Sequence, residues 1–204
     1  MVARYRTVSD EDLVEMIVKQ GKTDVFSVLY ERYSDKVYRK CLSFEKDRDS
    51  AHDLVHDVFL KVFLQLSKFE ARARFSTWLY SITYNYCVEQ HRKRAKMPSQ
   101  DIDDNPELAV FDDDDDLEIF EVRATALKKA MEKVSPEDKA ILLLKYQEDA
   151  SIKELMELLN VSKSAVKMRL SRARQRAKEI IDEMNLDNVV ISTLIAISLC
   201  LLFL

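Results

Sequence analysis

Residues 151–178, SIKELMELLNVSKSAVKMRLSRARQRAK, decide how the chain reads. Leu155, Leu158 and Leu159 recur at helical spacing and supply one apolar face. Asn160 follows, a residue type that tolerates the left-handed conformation ending a helix, and Ser162 offers a hydroxyl to cap the next one. In that second helix Val166, Leu170, Ala173 and Ala177 fall in one narrow stripe at about 100° per residue. Lys163, Lys167, Arg174 and Lys178 lie on one flank of the stripe, and Arg169, Arg172 and Arg176 on the other. The spacing predicts a helix-turn-helix whose second helix is cationic on both sides. A helix face that is merely solvated mixes signs through i,i+4 pairs, and no acid stands between Lys163 and Lys178. Such a helix calls for an external polyanion. Its geometry suits phosphates on either side of a groove, with Lys163, Ser164, Lys167 and Met168 directed at base edges.

The rest of the composition sets the fold class. The chain has 204 residues, 47% of them hydrophobic, and a formal net charge of -4, so the basic density at 163–178 is local. One Gly and three Pro leave few tight turns. That argues for an all-α protein of one or two small helical domains rather than a sandwich or a doubly wound sheet. Cys41, Cys87 and Cys200 are odd in number and far apart, which suggests neither a disulfide framework nor a zinc ribbon and fits a reducing cytosol. The opening MVARYRTVSDED lacks the apolar run of a signal peptide, so the body is expected to stay unexported.

Charge and periodicity divide the chain into four segments. Residues 1–97 read as a helical bundle, with Ser9 placed to cap its first helix and Asp12 three residues on. In 49–66, DSAHDLVHDVFLKVFLQL, the residues Leu54, Val55, Val58, Phe59, Val62, Phe63 and Leu66 form a broad apolar face that leaves Asp53, His56, Asp57 and Lys61 elsewhere. Residues 98–122 hold eleven acids and no Lys or Arg, and read as an acidic linker. Residues 123–187 carry the helix-turn-helix, after a helix start at Ser135-Pro136. In the tail 188–204, the stretch VVISTLIAISLCLLFL from Val189 is uncharged, and as a helix would reach about 24 Å. That is marginal for a bilayer core of about 30 Å, but apolar enough to predict a membrane anchor with the body on the cytoplasmic side.

Two further clusters invite chemistry. The stretch HRKRAK, 91–96, closes a helix crowded with Phe75, Trp78, Tyr80, Tyr84 and Tyr86. Aromatic faces beside cations can hold unpaired bases, although the same rings serve equally well as core, with Trp78 and Ile82 on a buried stripe. His52-Asp53-Leu54-Val55-His56 echoes a metal-protease pattern, but Asp is shorter than the Glu that acts as base and only His91 remains as a third imidazole. No metal or other cofactor is expected. With no nucleophile elbow or Gly-rich phosphate loop present, nothing points to an enzyme.

The segments DLVHDVFLKVF, FSTWLYSITYNYCVEQHRKR and SPEDKAILLLKYQEDASIKELMELLNVSKSAVKMRLSRAR, in this order and spacing, resemble bacterial RNA polymerase sigma factors of the extracytoplasmic-function (ECF) group. The resemblance covers most of residues 9–180. It implies that the chain binds core RNA polymerase and directs it to promoter DNA, with an anti-sigma factor as a further partner. Asp53, His56 and Asp57 match the family's contact surface for the polymerase, where the middle residue is commonly Gln. FEARARF, 69–75, matches the loop that captures a flipped minus-ten base, which assigns Phe69, Arg72, Arg74, Phe75, Trp78, Asn85, Arg92 and Arg94 to that strand. The second helix of the helix-turn-helix would read the minus-thirty-five duplex through Lys163, Ser164, Lys167, Met168, Arg169, Ser171 and Arg172. Met156 stands where the family favours Ala, and Asn160 where it often has Gly. The alternative reading is a membrane-tethered helix-turn-helix regulator that never touches polymerase. It leaves the DLVHDVFLKVF helix and the FSTWLY aromatics as plain core.

Overall fold

The computed structural model describes residues 2–45, 47–95 and 129–183. All regular structure among them is helical, as expected, and no helix among them is long and apolar enough to cross a membrane. The acidic segment 98–122 and the apolar tail 188–204, with the expectations attached to them, lie outside the described residues. The chain divides into two compact units, Met1–Lys96 and Met97–Leu204.

In the first unit α1 (Asp10–Gln20), α2 (Phe26–Leu42), α3 (Arg48–Gln65) and α4 (Phe75–Ala95) pack around one core. Ser9 caps α1 as its position predicts, accepting from the Asp12 N–H at 3.1 Å while its hydroxyl donates to the Asp12 carboxylate at 2.7 Å. Gly21 closes α1 at φ 69°, a conformation that costs other residues a Cβ clash. Asp47 caps α3 by accepting from the Ser50 N–H at 2.7 Å, and that bond holds its carboxyl below the usual range. The first N–H of α4 is met from a distance: Phe75 donates to the Glu11 carboxylate at 3.1 Å, tying α1 to α4.

Leu54, Val55, Val58, Phe59 and Val62 bury one face of α3 against α2 and α4, each contributing roughly 1.5–3 kcal/mol by leaving water. Phe63, expected on that face, stands at its rim, 38% exposed, with its edge against Phe26 at 5.1 Å. Phe75, Leu79, Tyr80, Tyr84, Cys87 and Val88 supply the inner side of α4. Trp78 and Ile82 do not form the buried stripe expected of them; both are half-buried. Cys41 and Cys87 are free, buried thiols, and contact with Cys41, reinforced by burial, pushes the Cys87 thiol far up.

The second unit opens, in its described part, on helical residues 129–133. There follow α5 (Pro136–Leu142), a wide π-helical turn (Leu143–Gln147), α6 (Ile152–Leu159) and α7 (Lys163–Glu183). Ser135 caps α5 with Pro136 in its first turn, as the sequence predicts. Ser151 and Glu154 form a reciprocal capping box on α6. Asn160 takes the left-handed conformation, φ 50° and ψ 51°, and ends α6 while the Val161 N–H reaches back to the Met156 carbonyl at 3.1 Å. Ser162 then accepts from the Ala165 N–H at 3.3 Å and starts α7. Val166, Leu170 and Ala173 are buried, with Ala177 half-buried below them, so the predicted stripe seats α7 on α5 and α6.

Candidate nucleic-acid interface

With its stripe inward, α7 turns its charged face to solvent. Lys163, Ser164, Lys167, Met168, Arg169, Ser171 and Arg172 are all exposed. Met168, half exposed, lies near the middle of the outward face, opposite the buried stripe. Lys163, Lys167, Arg169 and Arg172 have no carboxylate in ion-pair contact among the described residues. Their charge is therefore available to a polyanion. Two cations of the run behave otherwise. Arg174 donates to the Tyr146 hydroxyl at 3.4 Å. Arg176 makes a two-point ion pair with Asp138, whose carboxyl it holds below the usual range. The expectation of a helix wholly without internal counter-ions is thus corrected at Arg176. Asp138 comes from another helix, and spacing along α7 alone does not reveal it.

In the first unit Asp53, His56 and Asp57 lie exposed along α3, opposite its buried residues. Leu60 and Leu64 extend the same face and are 60% and 69% exposed. Sequence reasoning left them unassigned, although positions 53, 56, 57, 60 and 64 step at helical spacing outside the buried stripe. Exposed aliphatics beside acids make a surface fit for a protein partner. His52, flanking this face, stacks on Tyr38 at 4.3 Å. No cluster of three or more metal-ligating side chains occurs among the described residues.

The aromatic corner at the start of α4 sorts its residues by burial. Phe69 and Trp78 are half-buried, 5.3 Å apart between ring centroids, and each also packs on Phe75. Phe75 itself is 1% exposed, in edge contact with Tyr33, so it supports the corner from within and cannot meet a base directly. Ala71 in the preceding loop has φ 53°, a strained value for a residue with a Cβ. Arg72 pairs with Glu70 at 2.6 Å, and Arg74 lies exposed at the end of the same loop. Along α4, Asn85 and Arg92 are exposed, while Arg94 is ion-paired with the buried Glu45.

The family models match where these two surfaces lie. Sigma-70 region 2 matches residues 29–97, and Sigma-70 region 4 matches residues 124–176, together more than half of the chain. The ECF RNA polymerase sigma factor SigW of Bacillus subtilis is 27% identical over 179 residues, covering 79% of this chain and 91% of that protein. The ECF RNA polymerase sigma-E factor of Haemophilus influenzae is 28% identical over 180 residues, covering 82% and 93%. Among solved structures, CnrH in complex with the cytosolic domain of CnrY shares the fold with a TM-score of 0.55 and 21% identity over 85% of this chain and 97% of that one. The sigma factor RpoE of Bartonella quintana, in complex with the anti-sigma factor NepR, gives 0.53 and 21% over 77% and 96%. The chain belongs to the ECF group of RNA polymerase sigma factors. It is a transcription initiation factor that directs polymerase to promoters.

Proposed function

We propose that the two units divide promoter recognition between them. In the first, Asp53, His56 and Asp57, extended by Leu60 and Leu64, dock on core RNA polymerase. The corner of Phe69 and Trp78, backed by Phe75 and flanked by Arg72, Arg74, Asn85 and Arg92, takes up a melted minus-ten base, while Arg94 is held by Glu45. Unstacking that base costs a few kcal/mol, offset by ring contacts and by the grip of the polymerase. In the second unit α7 enters the minus-thirty-five major groove. Lys163, Lys167, Arg169 and Arg172 meet phosphates on its flanks, and Ser164, Met168 and Ser171 face base edges. The observation that carries this reading is the exposed outward face of α7, whose leading cations have no carboxylate in ion-pair contact among the described residues.

The proposal predicts that the full chain binds core polymerase and supports run-off transcription from promoters selected out of a random library. Asp53→Ala and Asp57→Ala should weaken polymerase binding, and Lys167→Ala and Arg172→Ala promoter binding. Wild-type behaviour of all four would overturn the division of labour. Two solved relatives are captured with CnrY and with an anti-sigma factor, which supports a protein antagonist for this chain too. Residues 189–204, uncharged and preceded on the N-terminal side by the basic run Lys163–Lys178, support attachment to the cytoplasmic face of a membrane. Full-length protein should then sediment with membranes and a chain lacking 188–204 should not; equal partitioning would discard the anchor.

A further inference from the structure

A polar network ties the proposed polymerase face on α3 to α4. The Tyr86 hydroxyl donates to Asp57 Oδ2 at 2.7 Å. Lys61, one turn beyond Asp57, does not neutralise it. Its ammonium lies 4.3 Å from the Tyr86 ring centroid and donates to Glu89 Oε2 at 3.0 Å, while Lys93 holds the other Glu89 oxygen at 2.8 Å. The ring is therefore fixed from outside by a cation that is itself tethered. Lys93 and Lys61 together hold the Glu89 carboxyl down to about 2, so the tether stays charged at any working pH. Partial burial, followed by the bond to Asp57, pushes Tyr86 up to about 12, so the hydroxyl remains a donor.

The consequence lies in what the network leaves of Asp57. A neutral hydroxyl occupies one of about four lone-pair sites on the carboxylate and orients it without cancelling its charge. A lysine in the same place would orient and neutralise together. We propose that Tyr86 is a positioning residue for polymerase docking: from α4, it holds the exposed Asp57 carboxylate ready for a cationic partner surface. This rests on the assignment of the Asp53, His56 and Asp57 face to core polymerase. A carboxylate already held in place loses less side-chain freedom on docking, an advantage of roughly three- to tenfold in affinity.

The test uses full-length protein and purified core polymerase. Tyr86→Phe keeps the ring beneath Lys61 and removes only the hydroxyl, which also meets Gln90, so the unfolding transition reported by Trp78 should move little while the Kd for core rises roughly three- to tenfold. In an Asp57→Ala background the same change should have no further effect, an outcome that a merely structural role of Tyr86 would not produce. Wild-type affinity of Tyr86→Phe, or a loss that persists in full beside Asp57→Ala, would overturn the proposal. Wild-type affinity of Asp57→Ala alone would instead remove the docking assignment, and the proposal with it.

Discussion

Arg176 of α7 donates from Nε and Nη2 to the two carboxylate oxygens of Asp138 on α5, at 2.5 and 2.6 Å. Asp138 is buried, and the pair pins the recognition helix to the helix beneath it. An arginine inside the basic run is thereby assigned to the scaffold rather than to DNA.

Salt dependence of promoter binding separates these two roles. Each phosphate contact contributes about 0.9 to the slope of log K against log salt. Lys167→Ala and Arg172→Ala should each lower the slope by about that amount, while Arg176→Ala should leave it nearly unchanged. Equal losses for all three would show that Arg176 releases Asp138 to meet DNA.

The same pair gives the second unit an acid limit. Arg176 lowers the Asp138 carboxyl in the folded state, so the contribution is complete above the ordinary Asp value of about 3.9 and is lost as pH falls from there through the lowered folded-state value. Asp138→Ala should cost about 1–2 kcal/mol at neutral pH and flatten this part of the acid dependence, measured by helix unfolding across pH. An unaltered acid limb would assign the acid loss to other carboxylates.

Backbone strain makes opposite predictions at two loops of the first unit. Ala71 at φ 53° should prefer Gly, with Ala71→Gly gaining about 0.5–1 kcal/mol. Gly21 at φ 69° has open space around a would-be Cβ, so Gly21→Ala should lose about 1 kcal/mol through the backbone alone. Thermal unfolding of the two variants in parallel checks the sign of each.

Packing under the recognition helix should be equally measurable. Leu155 is fully buried between α6 and its neighbours, and Leu155→Ala should cost about 2–5 kcal/mol. Promoter affinity should fall with it although no cation is touched. Loss of affinity without loss of stability would place Leu155 in a different role.

Much of the site was legible because its signals are local. The caps at Ser9, Ser135 and Ser162, the left-handed Asn160 and the stripe of Val166, Leu170 and Ala173 each depend on residues within a turn or two, and the structure reproduces them. Burial was less legible. Phe63 reaches the rim because Phe26 offers it only an edge, and Phe75 sinks into the core because Tyr33 and Phe69 pack around it.

The helical class, the helix-turn-helix and the outward direction of its leading cations follow from neighbouring residues, over which periodicity and capping act. Tertiary structure alone decided which charges remain for a partner. Asp138 claims Arg176 across 38 positions, Glu45 claims Arg94 across 49, and Tyr86 reaches Asp57 across 29. An ion pair or hydrogen bond forms wherever packing brings two groups within about 3 Å, and distance along the chain carries no record of it.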